Sequence, residues 1–450
     1  MTMQENPYLV GTYRPVSAEL TALALPVTGR IPDELTGRYL RNGPNPLTAP
    51  EPATYHWFSG EGMVHGVRLR DGRADWYRNR WVRSARVATA LGEPTRPGPV
   101  HAGMDFAPNT NVIGHAGRTL ALVEGGALPY ELTDELETIG PTDLGATLDG
   151  GYTAHPKRDP VTGELHAISY FWGWGNKVRY TVLGVDGRIR RSVDIEVGGP
   201  VSIHDLSITA SHVIIYDLPV VFSPDLIRQG IGFPYAWDPG YQARLGVLRH
   251  EAPAEDICWF DIDPCYVFHP LNAYEDDESL VLDVVRHESV FAIDKLGPGD
   301  QPPALERWTL DLASGTVKQE GLDDQPQEFP RIDERLIGRR HRYGYTAMVG
   351  APGSAETAVI KHDFAKAVSE ERPLGSGSGP SEPVFVPRHP EADEADGWVL
   401  CLSYDHERDA SDLLVINAAD FTGQPEATIH LPARVPVGFH GNWIPDPNRD

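Results

Sequence analysis

Residues 182–197 read VLGVDGRIRRSVDIEV, two runs rich in β-branched residues joined through Asp186-Gly187. An Asp-Gly pair between alternating apolar and polar positions is the chemistry of a two-residue hairpin, because the tight turn needs positive φ. The same unit recurs as RLRDGRADWYRNRWV at 68–82, PVTGELHAISYF at 160–171 and LDLASGTVKQEGL at 310–322. Further short runs rich in Val, Ile, Tyr, Phe and Trp lie between them, such as TLALVEG at 119–125, HVIIYDLPVVF at 212–222, SLVLDVVRH at 279–287 and WVLCLSYD at 398–405. Each run is bounded by Gly, Pro, Asn or Asp, and amphipathic segments of helical period are scarce. The class is all-β. Hairpins repeated over 450 residues without a strict sequence repeat point to a β-propeller more than to a sandwich, which uses fewer residues.

One domain spanning 1–450 is expected, with three stretches that break the strand pattern. Segment 223–239, SPDLIRQGIGFPYAWDP, is apolar and Pro-rich with too little alternation for a strand, and reads as a cap or lid over one face. Segment 373–383, PLGSGSGPSEP, reads as a flexible surface loop joining two blades. The acidic run EADEAD at 391–396 reads as a solvated turn.

Composition narrows the partners. Hydrophobic residues make up 40% of the chain and charged residues 23%, the balance of a folded globular protein. Lys+Arg at 39 against Asp+Glu at 64 gives a net charge of −25, which repels phosphate backbones and excludes nucleic acid as a partner. Cys258, Cys265 and Cys401 show no CxxC spacing, so neither a disulfide framework nor a zinc ribbon is expected, and a reducing cytoplasm fits. The N-terminus lacks a basic segment followed by an apolar stretch, and no run approaches the length of a membrane span.

The 17 histidines contain no HxH, HxxxH or HExxH spacing, so no local metal motif exists. A propeller offers another route, since inner strands from different blades converge on one axis. Four histidines stand out by context: His155 in GGYTAHPKRDP, His204 in GPVSIHDLSIT, His269 in CYVFHPLNAYE and His440 in VPVGFHGNW. Apolar, aromatic and small residues flank each, as where a strand end enters a buried axial site. His250, His341, His362, His389 and His406 neighbour charged residues and read as surface positions.

At these residues the chain resembles the carotenoid cleavage oxygenases, the family that also holds apocarotenoid, lignostilbene and other alkene-cleaving oxygenases. The similarity runs in order through NPYLVGTYRPV, GRIPDELTGRYLRNGPNP, WFSGEGMVHGVRL, NTNVIGHAGRTLALVEGGALPYEL, TAHPKRDPVTGEL, SIHDLSIT, FHPLNAYE, EFPRID, EPVFVPR and LPARVPVGFHGNW, nearly the whole chain. It implies a seven-bladed propeller with Fe(II) on its axis, O2 as co-substrate and a substrate tunnel under a cap of loops and helices. Carried over residue by residue, the implied ligands are His155, His204, His269 and His440. Glu124, Glu328 and Glu382 are implied to hold His204, His269 and His440, leaving His155 without a carboxylate partner. Thr110 in PNTNVI matches a threonine beside a vacant metal position.

The chemistry agrees with this inventory. Neutral imidazoles suit divalent iron, and four of them leave coordination positions for O2. A carboxylate accepting the outer N–H of each ring fixes its tautomer and orientation. Phe58, with Trp57 beside it, Phe171 and Trp172 in the run Tyr170 to Trp174, and Phe268 supply a lining for a flat conjugated substrate. Within the family, the lignostilbene-type enzymes bind a phenol through a Lys just before the first of the three glutamates and a Tyr upstream of NTN. Here that position is Val123 and the segment from Trp81 to Thr110 has no Tyr, so a small apolar polyene fits better than a hydroxystilbene. The expected reaction is cleavage of a C=C bond of a carotenoid or apocarotenoid to two carbonyl products, without an organic cofactor. The alternatives are cleavage of a stilbene or phenylpropenoid alkene by the same centre, a non-catalytic propeller scaffold, and a hydrolytic zinc or calcium propeller; calcium would want oxygen ligands. A transient membrane contact for collecting a lipophilic substrate stays open.

Overall fold

A computed structural model describes residues 6–106, 108–350, 354, 357–375 and 377–446. The strands group into seven antiparallel sheets plus one two-stranded ribbon, with only two short α-helices, Ala85–Ala90 and Pro224–Arg228, among the described residues. The sheets are the blades of a seven-bladed β-propeller. Blades 2 to 6 are simple meanders of four strands, each running outward from an inner strand: Asn111–His115, Lys157–Arg158, Leu206–Ile208, Pro270–Asp276 and Gln327–Arg331. Inner strands of neighbouring blades touch along the axis.

The chain ends close the ring. In blade 1 the last strand, Gly441–Pro445, lies innermost against Gly37–Pro44, while Leu20–Leu23 lies outermost. Blade 7 begins at Val384–Pro387 and takes Val27–Gly29 as its outer strand. Joining the two ends of a long chain in shared sheets removes the open edges that a linear array of hairpins would leave.

The hairpins read from the sequence form, but only Asp71-Gly72 closes as the expected two-residue turn; Gly163, Gly187 and Gly315 take positive φ within longer loops, closed by Asp159 on Glu164, Gly184 on Arg188 and the Asp311–Thr316 pair. Asp71 and Gly72 both take positive φ, 51° and 69°, between Gly62–Arg70 and Arg73–Trp81, which is the geometry the Asp-Gly turn demands. Strands inside each blade are covered on both faces by adjacent blades, so Leu165–Tyr170 and His212–Asp217 are buried at every position. The outer strand Val368–Pro373 is almost wholly exposed.

Segment 223–239 is an insertion between the second and third strands of blade 4. It carries the helix Pro224–Arg228 and, against the sequence expectation, a short strand, Tyr235–Trp237, paired with Val220–Phe222. Loop 373–383, of which Ser376 lies outside the described residues, joins blades 6 and 7 as expected. It is not merely a surface loop, since Leu374, Ser378, Ser381 and Glu382 are buried in it. In EADEAD, Glu394 accepts the backbone N–H groups of Arg342 and Tyr343, so the acidic turn is tied to blade 6. His341 and His362 are also corrections: both are buried, because packing between neighbouring blades covers them, and at His362 it covers the charged neighbours Lys361 and Asp363 as well. His362 bonds Thr346 and Ser369, and His341 sits beside Asn272 and Asp283. All three cysteines are free, and burial pushes the Cys265 and Cys401 thiols up to about 12, where they are unreactive. No helix of the described residues is long and apolar enough to cross a membrane.

Candidate metal centre

All seven inner strands start near one point, and each delivers one side chain there, at or within two residues of the strand's first positions. Blades 1, 3, 4 and 5 present His440, His155, His204 and His269; blade 2 presents Thr110; blades 6 and 7 present Glu328 and Glu382. Glu124 lies just beyond the second strand of blade 2, Arg118–Leu122. Local backbone makes these placements possible. Gly43 in the strand Gly37–Pro44 and Gly438 in the segment leading into Gly441–Pro445 meet so closely that a Cβ on either would lie under 3 Å from the other's Cα, which brings His440 onto the axis. Glu328 sits at a β-bulge in which Phe329 is held at φ 53°, a strained conformation that re-aims the carboxylate inward.

The four histidines are buried, and one nitrogen from each lies within 4.8 Å of the others. Nε2 of His204 is 3.1 Å from Nε2 of His269, which is 3.2 Å from Nε2 of His440. The outer nitrogens meet carboxylates: His204 Nδ1 to Glu124 at 2.8 Å, His269 Nδ1 to Glu328 at 2.6 Å and His440 Nδ1 to Glu382 at 2.9 Å. Ionised carboxylates only accept, so each of these imidazoles carries its proton on Nδ1 and turns a bare Nε2 lone pair inward. Three lone pairs facing one another at this spacing repel unless a cation lies among them, and Nε2 of His155 is a buried nitrogen with no hydrogen-bond partner. Spacings near 3 Å match neighbouring positions around an ion with metal–nitrogen bonds of about 2.1 Å.

Electrostatics favour the neutral imidazole at His440 and His155. Burial pulls His440 down to about 3 despite Glu382, and burial together with the other three histidines pulls His155 well below its usual value. For His204, burial pulls down but the Glu124 carboxylate outweighs it, so the net shift is upward. Glu328 and Glu382 resist the upward push of burial and are held well below the usual carboxylate range, the first by His269 and His287, the second by Arg331 and His440. Arg331 lies 3.2 Å from Glu382. Three carboxylates and one guanidinium leave two negative charges in a buried cluster, which one divalent cation neutralises. The donor set therefore fits a divalent metal with nitrogen preference.

Sequence reasoning missed several neighbours of the site. His287 donates from Nε2 to Glu328 at 3.0 Å, so that carboxylate serves two imidazoles as well as the Phe329 N–H. Arg331, inside EFPRID, likewise has no local signal that sets it apart from other arginines. Thr110 accepts the His440 N–H on its carbonyl at 3.1 Å and bonds Asn109 through its hydroxyl.

A largely apolar cavity of about 900 Å3 opens on His204, His269 and His440 at the N-terminal ends of the inner strands. Of the anticipated lining, Phe58, Val123, Trp172 and Phe268 face it, with Trp57 and Tyr170. Phe171 does not line it; its ring turns away to pack against His101 and Trp174. Phe58 is the hub, with edge-on contacts at 5.3 to 6.0 Å to Phe233, Phe268, Phe291 and Phe439. Phe329 and Phe439, each adjacent to a site residue in sequence, also line the cavity, and that adjacency was a readable signal. The insertion in blade 4 covers it with Ile227, Ile231, Phe233 and Tyr235.

Comparison with known proteins gives a consistent result. The family model described as retinal pigment epithelial membrane protein matches residues 13–445. A carotenoid cleavage oxygenase of Mycobacterium tuberculosis is 50% identical, with 98% of each chain covered. Carotenoid 9,10(9',10')-cleavage dioxygenase 1 of Phaseolus vulgaris is 31% identical over 97% of this chain and 89% of its own. The crystal structure of Pseudomonas brassicacearum lignostilbene dioxygenase superposes with a TM-score of 0.87 at 28% identity, covering 99% of this chain and 100% of that one.

Proposed function

This chain belongs to the carotenoid cleavage oxygenase family and is an oxygenase, and on that premise we propose that it cleaves a C=C bond of a carotenoid or apocarotenoid, using Fe(II) held by His155, His204, His269 and His440. The observation that carries this reading is the junction of two features: Nε2 atoms turned towards one another and a capped apolar cavity opening directly on them. Fe(II) bound there would supply the redox chemistry that lets O2 add across the double bond, giving two carbonyl products with both oxygen atoms accounted for.

The protein's own groups do the rest. Glu124, Glu328 and Glu382 hold three imidazoles in one tautomer, so the ligand geometry is set before substrate arrives. The ring of aromatics around Phe58 binds a flat hydrocarbon by dispersion and edge contacts, and burial at about 25 cal/mol per Å2 supplies most of the binding energy. Sliding position along the cavity then decides which bond meets the metal. Val123, 6% exposed and next to Glu124, offers a substrate no polar partner there, which favours a polyene over a phenol.

The test is to incubate iron-loaded protein with detergent-solubilised carotenoids and apocarotenals and, in parallel, with hydroxystilbenes and isoeugenol, identifying carbonyl products by mass spectrometry. Apocarotenoid products support the proposal. Turnover of only the phenolic alkenes would move the substrate to the lignostilbene class, and inertness towards every alkene would refute both.

A further inference from the structure

The four histidines are not held alike. Three press their outer N–H directly onto a glutamate, whereas His155 has as its nearest charged acceptor Asp205, with Nδ1 to Oδ2 at 3.9 Å. That is too long for a direct hydrogen bond. Asp205 is 2% exposed and firmly pinned, taking the Leu206 N–H on Oδ1 at 2.7 Å and the Lys157 ammonium on Oδ2 at 2.6 Å. The pair bridges blades 3 and 4: Lys157 follows His155 into one inner strand, and Asp205 follows His204 towards the next.

His155, Lys157 and Asp205 share a second cavity of about 610 Å3. The apolar cavity is walled by residues that precede the ligands on the inner strands, such as Phe268 and Phe439. The second is walled by residues that follow them, such as Pro270, Asn272 and Asn442, so it lies on the opposite side of the histidines. Its charged lining includes Arg38, Arg118, Asp134 and Glu334.

We propose that Asp205, anchored by Lys157, is a fourth positioning carboxylate of the metal centre, coupled to His155 Nδ1 through a water in this polar cavity. A gap of 3.9 Å is one that a single water closes with two bonds of about 2.8 Å, and the polar walls supply its other partners. This rests on the four-histidine reading above. It makes the polar cavity the solvent side of the centre and His155 the ligand whose outer proton exchanges with water, while the other three are locked onto glutamates.

The experiment uses full-length protein loaded with Co(II), whose unpaired electrons shift the ligand N–H protons far out of the ordinary proton NMR range. Four such resonances are expected. On transfer to D2O one should vanish at least about tenfold faster than the rest, and Asp205→Asn or Lys157→Met should move that resonance while leaving the other three in place. Release of Co(II) to a chelator should quicken by about tenfold in both variants, with Asp205→Glu restoring part of the difference. A merely structural role for the pair would lower thermal stability without moving one resonance selectively. Equal exchange of all four protons, or variants with unmoved resonances and release rates, would overturn the inference. Three resonances, with the fourth recovered on cooling, are the same result at faster exchange, whereas three that stay three, or fewer, would overturn the four-histidine reading and this inference with it. Where Asp205→Asn does not fold, Lys157→Met gives the same reading, since it removes the ammonium that anchors Asp205.

Discussion

Replacing Glu328 by Gln tests the wiring of the centre at its most heavily used carboxylate. Oε2 of Glu328 takes the His269 Nδ1–H at 2.6 Å and the Phe329 N–H at 2.5 Å, while Oε1 takes the His287 Nε2–H at 3.0 Å. In the Glu328→Gln variant the single carbonyl oxygen can keep the first two, but the amide NH2 then faces the His287 N–H, donor against donor. His287 can escape only by moving its proton to Nδ1, a buried nitrogen with no hydrogen-bond partner. One buried donor is left unsatisfied, costing about 1–3 kcal/mol, and the charge-assisted bond to His269 becomes a neutral one of roughly half the strength. The expected result is a fall in Fe(II) affinity of about 10- to 100-fold, equivalent to about 1.4–2.7 kcal/mol. An anaerobic competition titration against a chromophoric chelator measures it, with a thermal melt to verify folding. The double variant Glu328→Gln/His287→Phe removes the donor clash and should recover part of the loss. Affinity within about threefold of the parent in the single variant, or no recovery in the double, would refute this account of the carboxylate.

Changing any one of His155, His204, His269 and His440 to Ala should abolish turnover and lower iron content in protein purified anaerobically; full occupancy in a variant would remove that residue from the centre. Val123→Lys places an ammonium in the apolar cavity beside Glu124, so kcat/KM for an apocarotenoid should fall by about tenfold or more relative to that for a hydroxystilbene, and an unchanged ratio would show that this wall does not select substrate. Phe58→Ala should raise KM for polyenes with iron content unchanged, because it removes the shared ring of the aromatic lining and no ligand; lost iron instead would place Phe58 in the metal scaffold. Burial holds His56, His65 and His166 at about 3 and His362 at about 4, all below their unfolded value. As pH falls from about 6.5 the unfolded chain takes up these protons first, so stability is complete above that point and is lost by about 1.4 kcal/mol per pH unit for each histidine, roughly 5 together. The low-held Glu328 and Glu382 add to the loss below about pH 4.5. Melting temperature should therefore be flat above pH 7 and drop steeply towards pH 5; a flat profile across that window would contradict the burial of these rings.

The sequence by itself determined the hairpins, since Asp71-Gly72 and its counterparts encode the turn locally, and the runs between them alternate with the period of a strand. It also marked His155, His204, His269 and His440, because a polar residue among apolar and small neighbours needs a buried partner to be tolerated. Which partner it has is not local information. His269 and His440 meet across 171 residues, and they do so because blade 1 is completed by the last strand of the chain. The sharing of Glu328 by His269 and His287, the Arg331 charge beside Glu382, and the Lys157–Asp205 pair behind His155 all depend on contacts between blades. The same holds for the misread side chains. His341 and His362 have charged neighbours in sequence but face inward, and Phe171 sits among aromatics yet turns away from the cavity. A strand's pleat sends successive residues to opposite faces, and only the packing of one blade on the next decides which face is core, which is cavity and which is water.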